Sequence, residues 1–339
     1  MNSETSPPQT SGLTEVLANN SAVMGRFMEG LSKAPLPPER IDPPAVRVVR
    51  DIVFSTPTGT GGPTELRMDL YLPRSAPAPA PVIVWLPGGG WRGQRRGYGP
   101  RLPRLFAERG YAMVDVDYRS SDVDRWPAQI DDVLAALHHL HGLADVYDLD
   151  TGALGLWGSS AGAHLALLAA FATDGAGART VPGVRAVVAG YPPTDLLRLN
   201  EDALPGGVQG VDLSDPAWGL LGGNPWARSA EAVQASPVRQ VHPQVPPVLL
   251  LHGDRDLLIG PAQSRRLHDA LLTAGAESHL LMVRGADHSF LNSADWERRP
   301  MTATVHSSHA PGLKHSVPLT PALIERFFDR HLRTDPWNA

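Results

Sequence analysis

Short apolar runs alternate along this chain with stretches of helical period. Pro81-Val82-Ile83-Val84-Trp85-Leu86, Leu154-Gly155-Leu156-Trp157, Val184 to Ala189 and Val248-Leu249-Leu250-Leu251 are almost continuously apolar. Such runs predict strands buried on both faces, as parallel sheets require. Tyr111 to Tyr118 and the alternating His279-Leu280-Leu281-Met282-Val283 predict two more. Ile130, Val133, Leu134 and Leu137 fall on one face of a helix, Ala163 to Leu168 opens another, and Thr320 to Leu332 reads as the last. From Val82 onward the alternation predicts an α/β fold, with a mainly parallel central sheet and helices on both faces.

Candidate chemistry sits where these elements meet. Gly158-Ser159-Ser160-Ala161-Gly162 joins a strand to a helix, with Ser160 at the apex of a sharp turn. Gly158 and Gly162 leave room where strand and helix nearly touch. The loop after Val248–Leu251 carries Asp254 and Asp256. Asp256 is the candidate acid, and Asp254 is expected to shape the turn through its own backbone. His288, in Gly285-Ala286-Asp287-His288-Ser289-Phe290, follows the last expected strand and is the candidate base. Ser, Asp, His is the chain order expected of a hydrolase built on such an elbow. His252, His268 and His279 are expected on the surface or in packing. Pro87-Gly88-Gly89-Gly90-Trp91 follows another strand, and its glycines let backbone N–H groups turn toward a ligand. Gly89, Gly90 and the N–H of Ala161 are the candidate oxyanion donors, each worth about 3–4 kcal/mol in a transition state. Trp91, Ser159 and Tyr191 are candidate substrate contacts. No Gly-Lys-Ser/Thr follows the glycines, so this is not a phosphate loop.

These motifs resemble the α/β-hydrolase fold of esterases and lipases, on the branch with an H-G-G-G-W oxyanion loop. That branch includes hormone-sensitive-lipase-like, kynurenine-formamidase-like and feruloyl/acetyl-xylan-esterase-like enzymes. Asp117-Tyr118-Arg119, Trp126 to Val133 and Ala235-Ser236-Pro237-Val238 add to the resemblance, which runs from about Met68 to Phe290 and over the final helix. It implies a Ser-His-Asp triad, an acyl-enzyme, and a role for 191–235 in shaping the pocket. Pro87 stands where the branch usually has His, and Ala163 where Gly is common.

The rest of the chain adds context. Val46 to Phe54 and Glu65 to Leu72 read as an antiparallel pair across a Thr/Gly-rich loop, 56–63. Residues 1–12 have a composition that predicts disorder. Leu13, Val16, Leu17, Val23, Met24, Phe27, Met28 and Leu31 predict an amphipathic helix within 13–32, packed on the core or covering part of the active-site mouth. The expected organisation is an N-terminal extension, 1–45, then a catalytic domain, 46–335, with insertions at 191–235 and 291–318. The second insertion is expected to form a lid or partner-contact loop. Its His306, His309 and His315 lack nearby carboxylate partners in sequence, so no metal is expected.

Composition narrows the partners. The chain has 339 residues and a net charge of −5, with a pI near 6.2, which argues against nucleic acid or an anionic membrane as partner. It has no cysteine, which excludes disulfides and thiol catalysis. The first residues lack a basic start and an apolar core, and a cytoplasmic location is expected. The reading is a serine hydrolase acting on a small carboxylic ester, without metal or organic cofactor. Oligomeric state is unreadable. An acyltransferase or lactone-forming cyclase, a formamidase-like amidase, and a non-catalytic ligand-binding protein stay open.

Overall fold

The computed structural model describes residues 45–333 apart from 76–78, 93–95, 98–101, 173–180, 210–214, 293–295, 297–298 and 310–311, together with Ala18, Asn19 and Ala22. Residues 1–12 and most of the helix expected over 13–32 lie outside the described residues. Of that helix, Asn19 is helical, and its amide donates to the carbonyls of Gly206 (3.1 Å) and Gly207 (3.0 Å).

Among the described residues ten strands form one sheet. They are β1 (Val46–Ser55), β4 (Leu66–Pro73), β5 (Ala80–Leu86), β6 (Ala112–Val116), β7 (Leu149–Ser159), β8 (Val184–Gly190), β9 (Val248–Gly253), β10 (Ser278–Val283), β11 (Met301–Ser307) and β12 (His315–Leu319). A two-stranded ribbon, β2 (Thr58–Gly59) with β3 (Gly62–Pro63), occupies the loop between β1 and β4. The sheet order is β1-β4-β6-β5-β7-β8-β9-β10-β11-β12. β6 through β10 run parallel, while β1 and β4 at one edge and β11 and β12 at the other are antiparallel.

The parallel strands are apolar throughout because both faces are covered. Val82, Val84 and Leu86 of β5 join one core, and Ile83 and Trp85 join the other, as the two-residue period of a strand dictates. The first core lies under α2 (Ala128–Gly142), α3 (Ala161–Phe171) and α7 (Ala262–Thr273). The second lies under α1 (Leu102–Ala107) and α8 (Pro321–Leu332). Thr320 caps α8 by accepting the N–H of Leu323 at 3.3 Å, with Pro321 at the first helical position.

The segment 291–318 differs from the expectation of a lid. It supplies β11 and β12, which extend the sheet beyond β10, with Ala303 and Leu319 fully buried. The backbone of β11 pairs with the edge of β10 that would otherwise be left open. The segment 191–235 instead contributes the short helices α4 (Leu199–Asp202), α5 (Pro216–Leu221) and α6 (Ser229–Gln234) on the side of the sheet where the parallel strands end. No helix among the described residues is long and apolar enough to cross a membrane.

Phe328 of α8 is fully buried over β7, where Gly155 has no side chain; a Cβ there would come within 2.7 Å of its ring. Phe328→Ala is expected to cost about 3–5 kcal/mol of stability. Urea unfolding at neutral pH checks this, and a midpoint within error of wild type would contradict it.

Candidate active site

The elbow follows from three close backbone approaches. A Cβ at Gly158 would lie 2.4 Å from the carbonyl carbon of Gly162, and one at Gly162 would lie 2.0 Å from the Leu86 carbonyl oxygen. A Cβ at Gly88 would lie 2.8 Å from the Ser159 carbonyl. Strand β7, helix α3 and the loop after β5 therefore pack backbone on backbone. Ser160 sits between them at φ 52°, in a region that L residues avoid, and its N–H donates to the Gly190 carbonyl at 2.8 Å. The side chain does not cap α3, which leaves the hydroxyl for another partner.

That partner is His288. The Ser160 hydroxyl lies 3.0 Å from His288 Nε2, and His288 Nδ1 lies 2.7 Å from Asp256 Oδ2. Nδ1–H donating to the carboxylate leaves the Nε2 lone pair facing the serine. The three residues singled out in the sequence are thus brought together across β7, β9 and β10.

Asp256 is fully buried, yet every side of its carboxylate is satisfied. Oδ1 accepts the N–H groups of Leu258 (2.9 Å) and Ile259 (2.8 Å), and Oδ2 faces His288 Nδ1 and His252 Nε2 (3.2 Å). Burial alone would push this carboxyl up. The charge of His288 and the hydrogen bonds from His252 and His288 outweigh it and hold the group below the usual carboxylate range. The acid loop and the histidine loop are stitched together. Asp254 accepts the Gly285 N–H at 2.7 Å, Arg255 N–H donates to the Ala286 carbonyl, and Asp287 accepts the Leu257 N–H. Asp254 therefore braces the neighbouring loop rather than its own turn.

His252 needs correcting from a surface or packing residue. It is fully buried, its Nδ1 pairs with Ser264 Oγ at 2.7 Å, and its Nε2–H points at the Ile259 carbonyl and Asp256. Sequence offered one clue, its position four residues before the acid at the end of the same strand. His268 is buried against Ser278 Oγ at 2.8 Å.

The Gly-rich loop is shaped by positive φ at Gly89 (115°), Gly90 (61°) and Trp91 (59°). Two buried anchors hold it. The Tyr118 hydroxyl donates to the Pro87 carbonyl at 2.7 Å, so Pro87 is tied through its backbone. Trp91 Nε1–H donates to His164 Nδ1 at 3.1 Å, and His164 Nε2–H donates to the Ala235 carbonyl at 2.6 Å. His164, one helical turn after Ser160, thus links the loop, the elbow helix and the end of 191–235. Burial lowers its pKa to about 4, against which its bond to Ala235 works, so it is neutral and can both accept and donate.

A cleft of ≈ 40 Å³ opens over Ser160, walled by Gly90, Trp91, Leu199, Val208, Pro216 and Ile259 among others. Ser159 and Tyr191 do not wall it. Both are buried beneath the elbow, and the Tyr191 ring stands edge-on to His288 at 4.7 Å, so it supports the imidazole from below. A larger cavity of ≈ 530 Å³, bounded by Pro73, Arg109 and Arg333, touches no member of this site.

Sheet order, helix layers and elbow make this molecule an α/β-hydrolase. The BD-FAE family model matches residues 68–271, and the chain belongs to that family. The esterase LipQ of Mycobacterium tuberculosis is 34% identical over 249 residues, which cover 69% of this chain and 56% of LipQ. The probable isoprenylcysteine alpha-carbonyl methylesterase ICME of Oryza sativa subsp. japonica is 27% identical over 255 residues, covering 72% of this chain and 58% of ICME. The chain thus spans little more than half the length of these relatives. Among solved structures, a truncated form of a carbohydrate esterase from gut microbiota superposes with a TM-score of 0.62 at 25% identity, over 72% of this chain and 89% of that one.

The neutral state of His164 has a pH signature. Its folded pKa of about 4 lies below its unfolded value near 6.5, so protonation favours the unfolded chain. Its contribution is complete above pH 6.5 and is lost as pH falls toward 4, on the order of 3 kcal/mol in all. The stability gap between wild type and His164→Gln is expected to be widest at pH 7 and to shrink as pH is lowered. A gap constant with pH in denaturant titrations would contradict a buried neutral imidazole.

Proposed function

We propose that this protein is a serine esterase that cleaves small carboxylic esters through an acyl-enzyme. The observation that carries this is the single imidazole of His288 placed between Ser160 Oγ (3.0 Å) and Asp256 Oδ2 (2.7 Å). Ser160 Oγ attacks the acyl carbon while His288 Nε2 takes its proton. Asp256 keeps the proton on Nδ1 and stabilises the imidazolium. Collapse of the tetrahedral intermediate returns the Nε2 proton to the leaving alcohol. Water, deprotonated in turn by Nε2, then releases the acid.

The negative oxygen of the intermediate is assigned to the N–H groups of Gly89, Gly90 and Ala161. Positive φ at both glycines turns successive peptide planes of the loop. Ala161 opens α3, whose first N–H groups have no partner within the helix, and the helix dipole favours negative charge there. Tyr118 and His164 hold this loop without touching the reacting atoms.

LipQ is an esterase, ICME is named as a methylesterase and the structural neighbour as a carbohydrate esterase, so carboxylic ester hydrolysis is their common ground. The alcohol differs among them. Here the ≈ 40 Å³ cleft over Ser160 favours a short acyl group.

A p-nitrophenyl ester series from acetate to decanoate tests this reading. Wild type is expected to give a burst of p-nitrophenol, with kcat/KM highest at acetate or propionate and falling with chain length. Ser160→Ala is expected to abolish the burst and to lower kcat by roughly 10⁴-fold or more. Burst kinetics retained in Ser160→Ala would overturn the assignment of the nucleophile. His252→Phe removes one of the donors to Asp256. Its kcat is expected to fall at least about tenfold, or about 1.4 kcal/mol, with KM little changed. A rise in KM at constant kcat would place His252 outside the proton-transfer chain.

A further inference from the structure

Three histidines and one glutamate gather at the end of the sheet opposite the active site. Glu277 immediately precedes β10, His279 lies on it, His309 follows β11, and His331 is in the last turn of α8. The Nε2 atoms of His279, His309 and His331 lie 3.0, 3.6 and 3.4 Å from Glu277 Oε1. Ligand atoms of Glu277, His279 and His309 all fall within 4.8 Å of one another. A tetrahedral zinc site with bonds of about 2.0–2.1 Å separates its ligand atoms by roughly 3.3 Å. The distances from Glu277 Oε1 to the three imidazole nitrogens already stand near that spacing.

His331 Nε2 is buried and makes no hydrogen bond. Three imidazole nitrogens converge on one carboxylate oxygen, a donor set that a single cation could share. Ser307 supplies the outer support that metal-bound histidines need. Its Oγ lies 2.8 Å from His279 Nδ1 and accepts the backbone N–H of His309 at 3.2 Å. His279 Nε2 lies at hydrogen-bonding distance, 3.0 Å, from Glu277 Oε1; with the ring proton instead on Nδ1, directed at Ser307 Oγ, its lone pair would be available to a shared cation.

We propose that Glu277, His279 and His309 bind one Zn²⁺, with His331 or water completing the coordination. Imidazoles with a single carboxylate suit zinc and its transition-metal neighbours rather than Mg²⁺ or Ca²⁺, which prefer oxygen ligands. The ion clamps the end of the β11–β12 extension to the start of β10 and to α8. His306 and His315 take no part. His306 pairs with Leu280 across β11 and β10, and His315 is exposed on β12. The missing carboxylate comes from residue 277, which no spacing within 306–315 reveals. The site is structural: β10 and the loop beyond it separate it from His288, on the order of 20 Å away at about 3.3 Å per strand residue.

The test uses the full chain stripped with chelator, dialysed and then incubated with excess Zn²⁺. Wild type is expected to retain one equivalent of Zn²⁺ after gel filtration, read by elemental analysis. It should give the visible ligand-field bands of four-coordinate Co²⁺ when loaded with cobalt, and at 100 Kd of zinc to gain about 4 °C in Tm. His309→Ala alters an exposed side chain, so it is expected to fold and to lose the bound ion and the Tm gain. Glu277→Gln should do the same. Ester turnover per folded molecule should be unchanged in both variants. Substoichiometric zinc in wild type would overturn the proposal, and so would equal zinc retention by His309→Ala and Glu277→Gln.

Discussion

At Ser160 the chain is forced into a left-handed turn, and much of the molecule exists to hold it there. A positive φ at a non-glycine residue costs roughly 1–2 kcal/mol. It persists because α3 is buried along almost its whole length and cannot shift, and because Gly158, Gly162 and Gly88 let three backbones meet at Ser160. Replace any of these contacts by a side chain and either β7 and α3 separate or the loop after β5 moves. In both cases the Ser160 hydroxyl leaves the His288 imidazole and the Gly-rich loop leaves the elbow.

The second constraint is electrostatic. A buried carboxylate without partners would take up a proton. Asp256 keeps its charge because four donors from two loops and one strand converge on it. That charge fixes the proton on His288 Nδ1. The loop contacts through Asp254, Arg255 and Asp287 ensure that the acid and the imidazole move together if they move at all. Steric strain at the elbow and charge at the acid thus meet at one 3.0 Å contact.

Much of this was legible in the residues because it is local. The elbow is five consecutive residues whose small size has one mechanical reason. The apolar runs from Val82 to Val283 announce strands covered on both faces. The less legible parts are those where partners are distant in sequence. His164 lies on an apolar helix and reads as packing until Trp91 and Ala235, each more than 70 residues away, arrive at its two nitrogens. Ser159 adjoins Ser160 in sequence and Tyr191 follows β8, but both are buried beneath the elbow. The stretch 291–318 read as a lid or partner-contact loop because it is longer than the resemblance requires between His288 and the last helix. Pairing of β11 with β10 and of β12 with β11 makes strands of it.

By itself the sequence determined the alternation of strands and helices from Val82 to Val283, the choice of Ser160, Asp256 and His288 as the candidate residues, and the glycines that let backbones touch, since each depends on neighbours along the chain and on backbone sterics. Tertiary structure alone decided which histidine supports the acid, which one ties the Gly-rich loop to the elbow, how narrow the cleft over Ser160 is, and that Glu277 meets three imidazoles. Those outcomes depend on the packing of segments brought together only when the sheet closes in register, and a one-dimensional pattern carries no measure of distance across it.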